Sequence, residues 1–90
     1  MARIIWTREA LAKLELIRAY IGQFDPEAAQ RMARRLIEAG ESLSAFPERG
    51  RPATGRMREL PTIPPYVIRY KVENDTVFII GIRHGAQRPS

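Results

Sequence analysis

The chain lacks cysteine and contains a single histidine, His84. The absence of cysteine excludes disulfides and thiolate metal ligands, and it fits a reducing compartment. With one histidine, a site built from several histidines is excluded, and a Ser-His-Asp triad has no support in the sequence. Glycine-rich phosphate loops, zinc-binding helix motifs and calcium loops are also missing. We therefore expect neither a metal nor a cofactor.

Long apolar runs are absent as well. No stretch approaches the roughly 20 residues of a membrane-spanning helix, and no signal-peptide pattern opens the chain. The length of 90 residues predicts one domain over residues 1–90, and the apolar content of 44% is sufficient for a hydrophobic core. We expect a cytoplasmic protein with no membrane partner.

Lysine is scarce, because 13 of the 15 cationic residues are arginine and the other two are Lys13 and Lys71. The charge is also uneven along the chain. Residues 1–46 carry seven cations and six acids, whereas residues 47–90 carry eight cations and four acids. The second half therefore accounts for most of the net charge of +5.

The highest density of arginine lies between Arg49 and Arg69, where five arginines accompany one acid, Glu59. The planar, permanently charged guanidinium group suits phosphate and carboxylate partners. This segment therefore indicates nucleic acid or an acidic protein as the partner. The alternative is an arginine-rich, solvated surface without a specific partner.

The first half predicts a strand and two helices. Residues 3–6 form a short β-prone run, and Thr7 offers an N-cap to a helix that runs from residue 8 to near residue 22. Asp25-Pro26-Glu27 is a helix start with an Asx cap and a proline in the first turn. The second helix should end by Phe46-Pro47. The helix core positions are predicted to be Leu11, Leu14, Leu36 and Leu43.

The second half predicts a loop followed by strands. Residues 47–55 contain two prolines and two glycines and indicate an ordered loop. A short strand is predicted at 57–60 and two longer strands at 66–72 and 76–83, the last two joined by a turn at residues 74–75. The fold class is therefore α+β with the order β-α-α-β-β-β, in which a helical hairpin packs on one face of a small, mainly antiparallel sheet.

A two-residue turn fixes which side chains of the final hairpin share a face. It pairs Val72 with Val77, Tyr70 with Ile79, and Arg69 with Ile80. One face would then carry Tyr66, Ile68, Tyr70, Val72, Val77, Ile79 and Gly81. The other would carry Val67, Arg69, Lys71, Phe78, Ile80, Ile82 and His84. Charged groups are costly under helices, so the second face should point away from them. A three-residue turn would overturn this assignment.

Four residues of this region are candidates for chemistry: Arg58, Arg69, Arg83 and His84. His84 is a candidate general acid or base or a phosphate contact, and otherwise a strand-end histidine satisfied by backbone. Arg69 has either a functional role or an ion pair with Glu59. For Arg58 the favoured interpretation is an ion pair. A more peripheral group of exposed cations is expected to form a rim that sets association rate and non-specific affinity: Arg49, Arg51 and Arg56.

The whole chain resembles the ParE/RelE superfamily of bacterial toxins from type II toxin–antitoxin systems. The resemblance rests on the order and spacing of several short pieces. They are Trp6-Thr7, Ala10, Leu14, Ile17, Tyr20-Ile21, Ala29, Leu43, Phe46-Pro47, Gly50-Arg51, Arg58-Glu59-Leu60, the run from Tyr66 to Tyr70, and Ile82-Arg83-His84-Gly85. The resemblance implies a RelE-like fold and a toxin that a cognate antitoxin holds inactive.

The resemblance implies two alternative targets. ParE-like toxins poison DNA gyrase and are not known hydrolases, whereas RelE-like toxins cleave messenger RNA in the ribosome without a metal. Arg58, Arg69 and His84 match positions that are functional in some RNA-cleaving members, and Arg83 would join Arg69 on the phosphate. Those members commonly carry an aromatic residue near the C-terminus and lysines before the second strand, and this chain has neither. The gyrase branch is therefore favoured, and the Gly85-Ala86 ending is similar to ParE-type chains.

The resemblance also implies a ParD-like antitoxin and a hetero-oligomer of toxin and antitoxin. We expect the antitoxin to cover apolar side chains of the hairpin and the first helix, with acids near the arginine cluster. The predicted antitoxin-binding residues are Phe78, Ile80, Ile82, Leu11 and Leu14. The predicted target-binding residues are Arg49, Arg51, Arg56, Arg58, Arg69, Arg83 and His84.

Overall fold

The computed structural model describes residues 1–62 and 64–85. Strand β1 (Arg3–Trp6) is followed by helices α1 (Arg8–Gly22) and α2 (Pro26–Glu41) and by a 3-10 turn at Ser42–Ser44. Strands β2 (Arg51–Pro52), β3 (Met57–Pro61), β4 (Tyr66–Glu73) and β5 (Thr76–His84) complete the fold. The strand order in the sheet is β1-β5-β4-β3-β2. β1 runs parallel to β5 and the other neighbours are antiparallel.

The predicted α+β class, the helical hairpin and the mainly antiparallel sheet are confirmed. The predicted element order lacked β2, because the loop at residues 47–55 contains a two-residue strand, in which Arg51 pairs with Glu59 and Pro52 with Arg58. Strand β3 also continues through Pro61. Across the described residues, neither helix has the length and apolar character needed to cross a membrane.

Both helix starts follow the predicted caps. The Thr7 hydroxyl accepts a hydrogen bond from the Ala10 amide at 3.2 Å and donates to the Ile79 carbonyl oxygen at 2.9 Å, so the cap also ties α1 to β5. The Asp25 carboxylate accepts from the amides of Glu27 and Ala28 at 3.1 Å. These bonds satisfy amides that have no partner within the helix.

The hydrophobic core lies between the helical hairpin and one face of the sheet, which we call the helix face. The opposite side of the sheet, which no helix in the described part of the chain covers, is called the open face. The fully buried large side chains are Tyr70, Leu36, Leu43, Ile68, Ile79 and Val77. The core predictions for Leu36 and Leu43 are therefore confirmed.

The prediction that Leu11 belongs to the core is wrong, whereas Leu14 does pack against it. Leu11 is 50% exposed, while its neighbour Ala10 is completely buried. Successive helical residues are rotated by about 100°, and the inward direction of α1 passes through Ala10 and Ile17. Leu11 consequently lies at the edge of the apolar stripe and reaches water.

The hairpin between β4 and β5 has the predicted turn but a different register beyond its middle. Asn74 adopts a left-handed φ of 56°, as a tight turn requires. Val72 pairs with Val77 and Tyr70 with Ile79, as predicted. Arg69, however, pairs with Gly81, because a β-bulge inserts Ile80 as an extra residue in β5.

The bulge reverses the faces of the residues that follow it. Gly81 lies opposite Arg69 on the open face, and Ile82 lies opposite Ile68 on the helix face, where it is buried. His84 pairs with Tyr66 and joins the helix face as well. The predicted face assignments of Gly81, Ile82 and His84 are therefore wrong. Side chains alternate between the two faces of a strand, so one additional residue exchanges the faces of all the residues that follow it.

Candidate functional site

Glu59 is the centre of a charged cluster on the open face. It is 5% exposed, and within residues 1–62 and 64–85 no other charged residue is as deeply buried. Arg83 binds it in a bidentate manner, with Nε 2.9 Å from Oε2 and Nη2 2.8 Å from Oε1. Arg51 Nη2 lies 3.7 Å from Oε1, and Arg69 Nε lies 3.7 Å from Oε2. We call Arg51, Arg69 and Arg83 the arginine trio.

Strand pairing brings this cluster together. Arg51 of β2, Glu59 of β3, Arg69 of β4 and Gly81 of β5 follow one another across the sheet as paired residues. Paired residues point to the same face, so the row places a carboxylate between two guanidinium groups. Arg83 enters from two residues farther along β5. The β-bulge is required for this, because it sets Gly81 and Arg83 on the open face.

The cluster carries excess positive charge. Hydrogen bonding from Arg83 is the largest influence on Glu59 and lowers the pKa of its carboxyl below the ordinary value; burial opposes this, and Arg51 and Arg69 reinforce it. The same hydrogen bond raises the pKa of Arg83. Glu59 is therefore ionised at neutral pH. Three guanidinium groups around one carboxylate leave a formal charge of +2.

Arg69 is held less tightly than Arg83. Its side chain is 39% exposed, whereas that of Arg83 is 15% exposed. The 3.7 Å from Arg69 Nε to Glu59 is an ion-pair distance but exceeds that of a hydrogen bond. Arg69 Nε is buried without a hydrogen-bond acceptor among the described residues. For Arg69 the sequence left open a functional role or an ion pair with Glu59. The structure contains the ion pair, at the long distance of 3.7 Å.

Arg58 has a structural role on the helix side of β3. Its Nη1 donates to the carbonyl oxygens of Gly50 at 2.7 Å and Glu48 at 3.4 Å. The favoured ion pair is therefore replaced by hydrogen bonds to backbone. These bonds hold the loop before β2 against the sheet.

The Tyr70 hydroxyl anchors the same loop and was missed in the sequence, where it resembled an ordinary core residue. It donates to the Pro47 carbonyl oxygen and accepts from the Gly50 amide, both at 2.8 Å. Burial raises the pKa of Tyr70, and the Gly50 hydrogen bond opposes that rise. A Cβ on Gly50 would lie 2.7 Å from the Tyr70 ring, so the close approach requires glycine. This anchoring fixes where Arg51 enters the sheet.

His84 lies away from the arginine trio. Its ring meets Tyr66 edge to face, with the centroids 5.9 Å apart. With Lys13 and Tyr20 it borders an open pocket of about 400 Å³ between α1 and the end of the sheet. The sheet therefore separates His84 from Arg69 and Arg83, contrary to the predicted grouping.

The other predicted residues are distributed as follows. Arg49 donates to the Ser42 hydroxyl at 2.8 Å, while Arg51 and Arg56 are exposed. Phe78 lies opposite Lys71 on the open face and is half-buried, and Ile80 is half-buried at the bulge. Ile82 is 5% exposed and is not available to a partner without unfolding. The Ala86 position of the predicted ending lies outside the described residues.

The described residues contain no group of three or more histidine or acidic side chains that could hold a metal ion. The arrangement can bind anions through guanidinium groups. Within the arginine cluster, the carboxylate that could act as a base, Glu59, is ionised but already bound to Arg83. Glu73, farther along β4 on the same face, is paired with Lys71 at 3.3 Å.

Comparison with known proteins gives a consistent family. A family model described as the ParE toxin of the type II toxin–antitoxin system parDE matches residues 4–89. The protein named Toxin RelE2 from Caulobacter vibrioides is 59% identical, with 97% of this chain and 99% of the relative covered. Putative toxin Y4kP from Sinorhizobium fredii is 41% identical, with 96% and 91% covered.

A solved structure has the same fold. It is described as a chromosomal ParDE TA system from P. aeruginosa and has a TM-score of 0.85 at 25% identity. The similarity covers 93% of this chain and 96% of the other. The helical hairpin and five-stranded sheet are thus a shared architecture.

Proposed function

Because the chain belongs to the ParE toxin family of type II toxin–antitoxin systems, we propose that it inhibits DNA gyrase by binding and that a cognate ParD-like antitoxin neutralises it. The observation that supports this most strongly is the division of the candidate catalytic groups. Arg69 and Arg83 lie on the open face, whereas Arg58 and His84 lie on the helix face.

This division matters because metal-free RNA cleavage needs an acid–base group and cations at one phosphate. The acid–base group has to come within hydrogen-bond reach of the proton that it transfers. His84 is on the other side of the sheet from the arginines, and Arg83 is bound to Glu59. The open face therefore offers charge for binding and little means of proton transfer.

The exposed rim provides the contact expected with gyrase on DNA. Arg51 and Arg56 are exposed in the segment that directly follows residues 47–50, which Tyr70 and Arg58 hold against the sheet. Anchored cations at a surface accelerate association with an anionic target and contribute salt-dependent affinity. We assign the DNA-proximal contact to this rim.

A supercoiling assay with purified gyrase tests the proposal. Micromolar toxin should stop supercoiling and accumulate cleaved DNA, and added antitoxin should restore activity. The double variant Arg51→Ala/Arg56→Ala should require about tenfold more protein because two phosphate-directed charges are lost. Arg34→Ala/Arg35→Ala on exposed positions of α2 is the matched control and should behave like the parent. Unchanged supercoiling at micromolar parent toxin would refute the proposal.

Ribosome-dependent cleavage of messenger RNA is the second candidate, favoured by the 59% identity to a protein named Toxin RelE2. In that case Arg69 would contact phosphate and His84 would carry the proton. Primer extension on translated message from toxin-expressing cells distinguishes the two. New codon-specific 5′ ends, with gyrase unaffected, would assign the toxin to the RNA-cleaving class.

A further inference from the structure

Gly81 occupies a position that nothing in the described chain requires to be glycine. A Cβ built on it meets no atom within 4 Å, and the residue is not in the left-handed region. By contrast, a Cβ on Gly40 would lie 2.5 Å from the Trp6 ring, and that glycine is needed for packing. Glycine weakens a strand interior and often marks a place where a ligand or another backbone comes close.

Guanidinium groups border this gap in the open face. Arg69 is paired directly with Gly81, and Arg83 follows two residues along β5. Arg69 Nε is buried without a hydrogen-bond acceptor, although its side chain is 39% exposed. The gap thus combines free volume with a neighbouring arginine side chain that is partly exposed and whose long ion pair with Glu59 makes no hydrogen bond.

The surroundings favour an acidic peptide over nucleic acid. The arginine trio and Glu59 carry a formal +2, which attracts a carboxylate. Phe78 and its neighbour Ile5 lie half-buried on the same face. Protein interfaces combine an apolar centre with charged surroundings, whereas nucleic-acid interfaces are more polar and more positive.

We propose that a carboxylate side chain from an acidic segment of the antitoxin seats over Gly81 and accepts a hydrogen bond from Arg69. Glu59 keeps Arg83 in place, so the incoming carboxylate meets a prepared site and needs no exchange of partners. Arg51 belongs both to the arginine trio and to the rim, so an antitoxin segment bound here would also block the proposed DNA contact of the rim. The inference rests on the antitoxin partnership of this family and not on the identity of the toxin's target.

The test is the affinity of the purified toxin for the antitoxin encoded beside it, measured by isothermal titration calorimetry. Gly81→Leu fills the gap from this chain's own side and should weaken binding at least tenfold. Its thermal unfolding midpoint should stay within a few degrees of the parent, because the Cβ meets no atom within 4 Å and the rest of the side chain extends from there on the uncovered face of the sheet. Parent-like affinity of a folded Gly81→Leu protein would overturn the proposal.

Arg69→Gln provides an independent readout, which also decides the matter if Gly81→Leu does not fold. Loss of a charge-assisted hydrogen bond should weaken binding by about tenfold and reduce its dependence on NaCl concentration. Arg34→Gln, on the exposed side of α2, should change neither quantity. An unchanged salt dependence for Arg69→Gln would show that the arginine acts only structurally, against the proposal.

The variants also separate the antitoxin from DNA as the occupant. If Arg69→Gln and Gly81→Leu bind antitoxin normally but lose affinity for a DNA duplex, the site is a phosphate site and the proposal is wrong. If both variants lose affinity for the antitoxin while the parent toxin does not inhibit gyrase, the antitoxin site is supported and gyrase is refuted as the target. The two conclusions are therefore tested separately.

Discussion

The two faces of the sheet share one backbone but have different roles. The helix face carries Ile68, Tyr70, Ile79 and Ile82, all buried beneath the helical hairpin. The open face carries the arginine trio around Glu59, with no helix of the described chain above it. The comparison teaches that stability and recognition are divided between the two sides of one sheet. A strand with a period of two can serve both because its side chains alternate.

The largest expected effect contrasts Ile82→Ala with Phe78→Ala. Ile82 fills the core beside Ile68, so its truncation should cost about 2–4 kcal/mol of unfolding free energy. Phe78 is half-buried on the open face, and its truncation should cost about 1 kcal/mol. Urea denaturation of both variants checks the order. Equal losses would contradict the bulged register that separates the two residues.

Next in size is Glu59→Gln, which removes the charge at the centre of the open face. We expect a loss of about 2–3 kcal/mol at neutral pH, because Arg83 would keep its burial without a charged partner. Arg51 and Arg69 should add little to this loss, because they are more exposed and water can solvate their charges once the carboxylate is gone. Denaturant unfolding measures the difference. The matched control is Glu41→Gln, which changes an exposed carboxylate beside Trp6 and should have little effect.

The variant Glu59→Gln also gives a pH test with a definite sign. The folded pKa of Glu59 is below its unfolded value, so its carboxylate stabilises the protein above the unfolded pKa of about 4.3. That contribution is lost as the pH falls through the folded pKa. The stability difference between parent and Glu59→Gln should therefore shrink on acidification below pH of about 4. A constant difference down to the acid transition would contradict the ionised cluster.

Tyr70→Phe should have a smaller effect, on the helix face. It leaves the aromatic ring in the core but removes the hydroxyl that binds the Pro47 carbonyl oxygen and the Gly50 amide. We expect a cost of about 1–2 kcal/mol and faster amide exchange at Gly50. Hydrogen-exchange NMR locates the change. Unaltered protection of the Gly50 amide would show that Arg58 alone anchors the loop.

The smallest expected effect is that of Gly81→Ala on folding. The added Cβ meets open space, and alanine restricts the unfolded chain more than glycine does, so stability should be unchanged or higher by about 0.5 kcal/mol. Thermal denaturation checks this. Gly40→Ala, where the Cβ would lie 2.5 Å from Trp6, is the packed counterpart and should be the less stable of the two.

Much of the fold was predictable from local signals. Thr7 and Asp25 started the helices where expected, and the turn near Asn74 set the hairpin. Caps and turns depend on hydrogen bonds within a few residues, so their patterns can be recognised directly. The candidate site was less predictable. The pairing of Glu59 with Arg83 spans 24 residues and depends on three strands in register.

By itself, the sequence determined the helices, the longer strands, the excess of arginine after residue 47 and the family of the toxin. The elements and the charge distribution depend on composition, periodicity and short patterns within each segment, and the family is recognised from the order and spacing of such patterns along the whole chain. Only the tertiary structure decided which face received each residue of β5 after Ile79. A single extra residue, Ile80, moved Ile82 and His84 to the helix face and Gly81 to the open face. Bulges form where strand pairing and packing favour them, and such a balance involves contacts between distant segments.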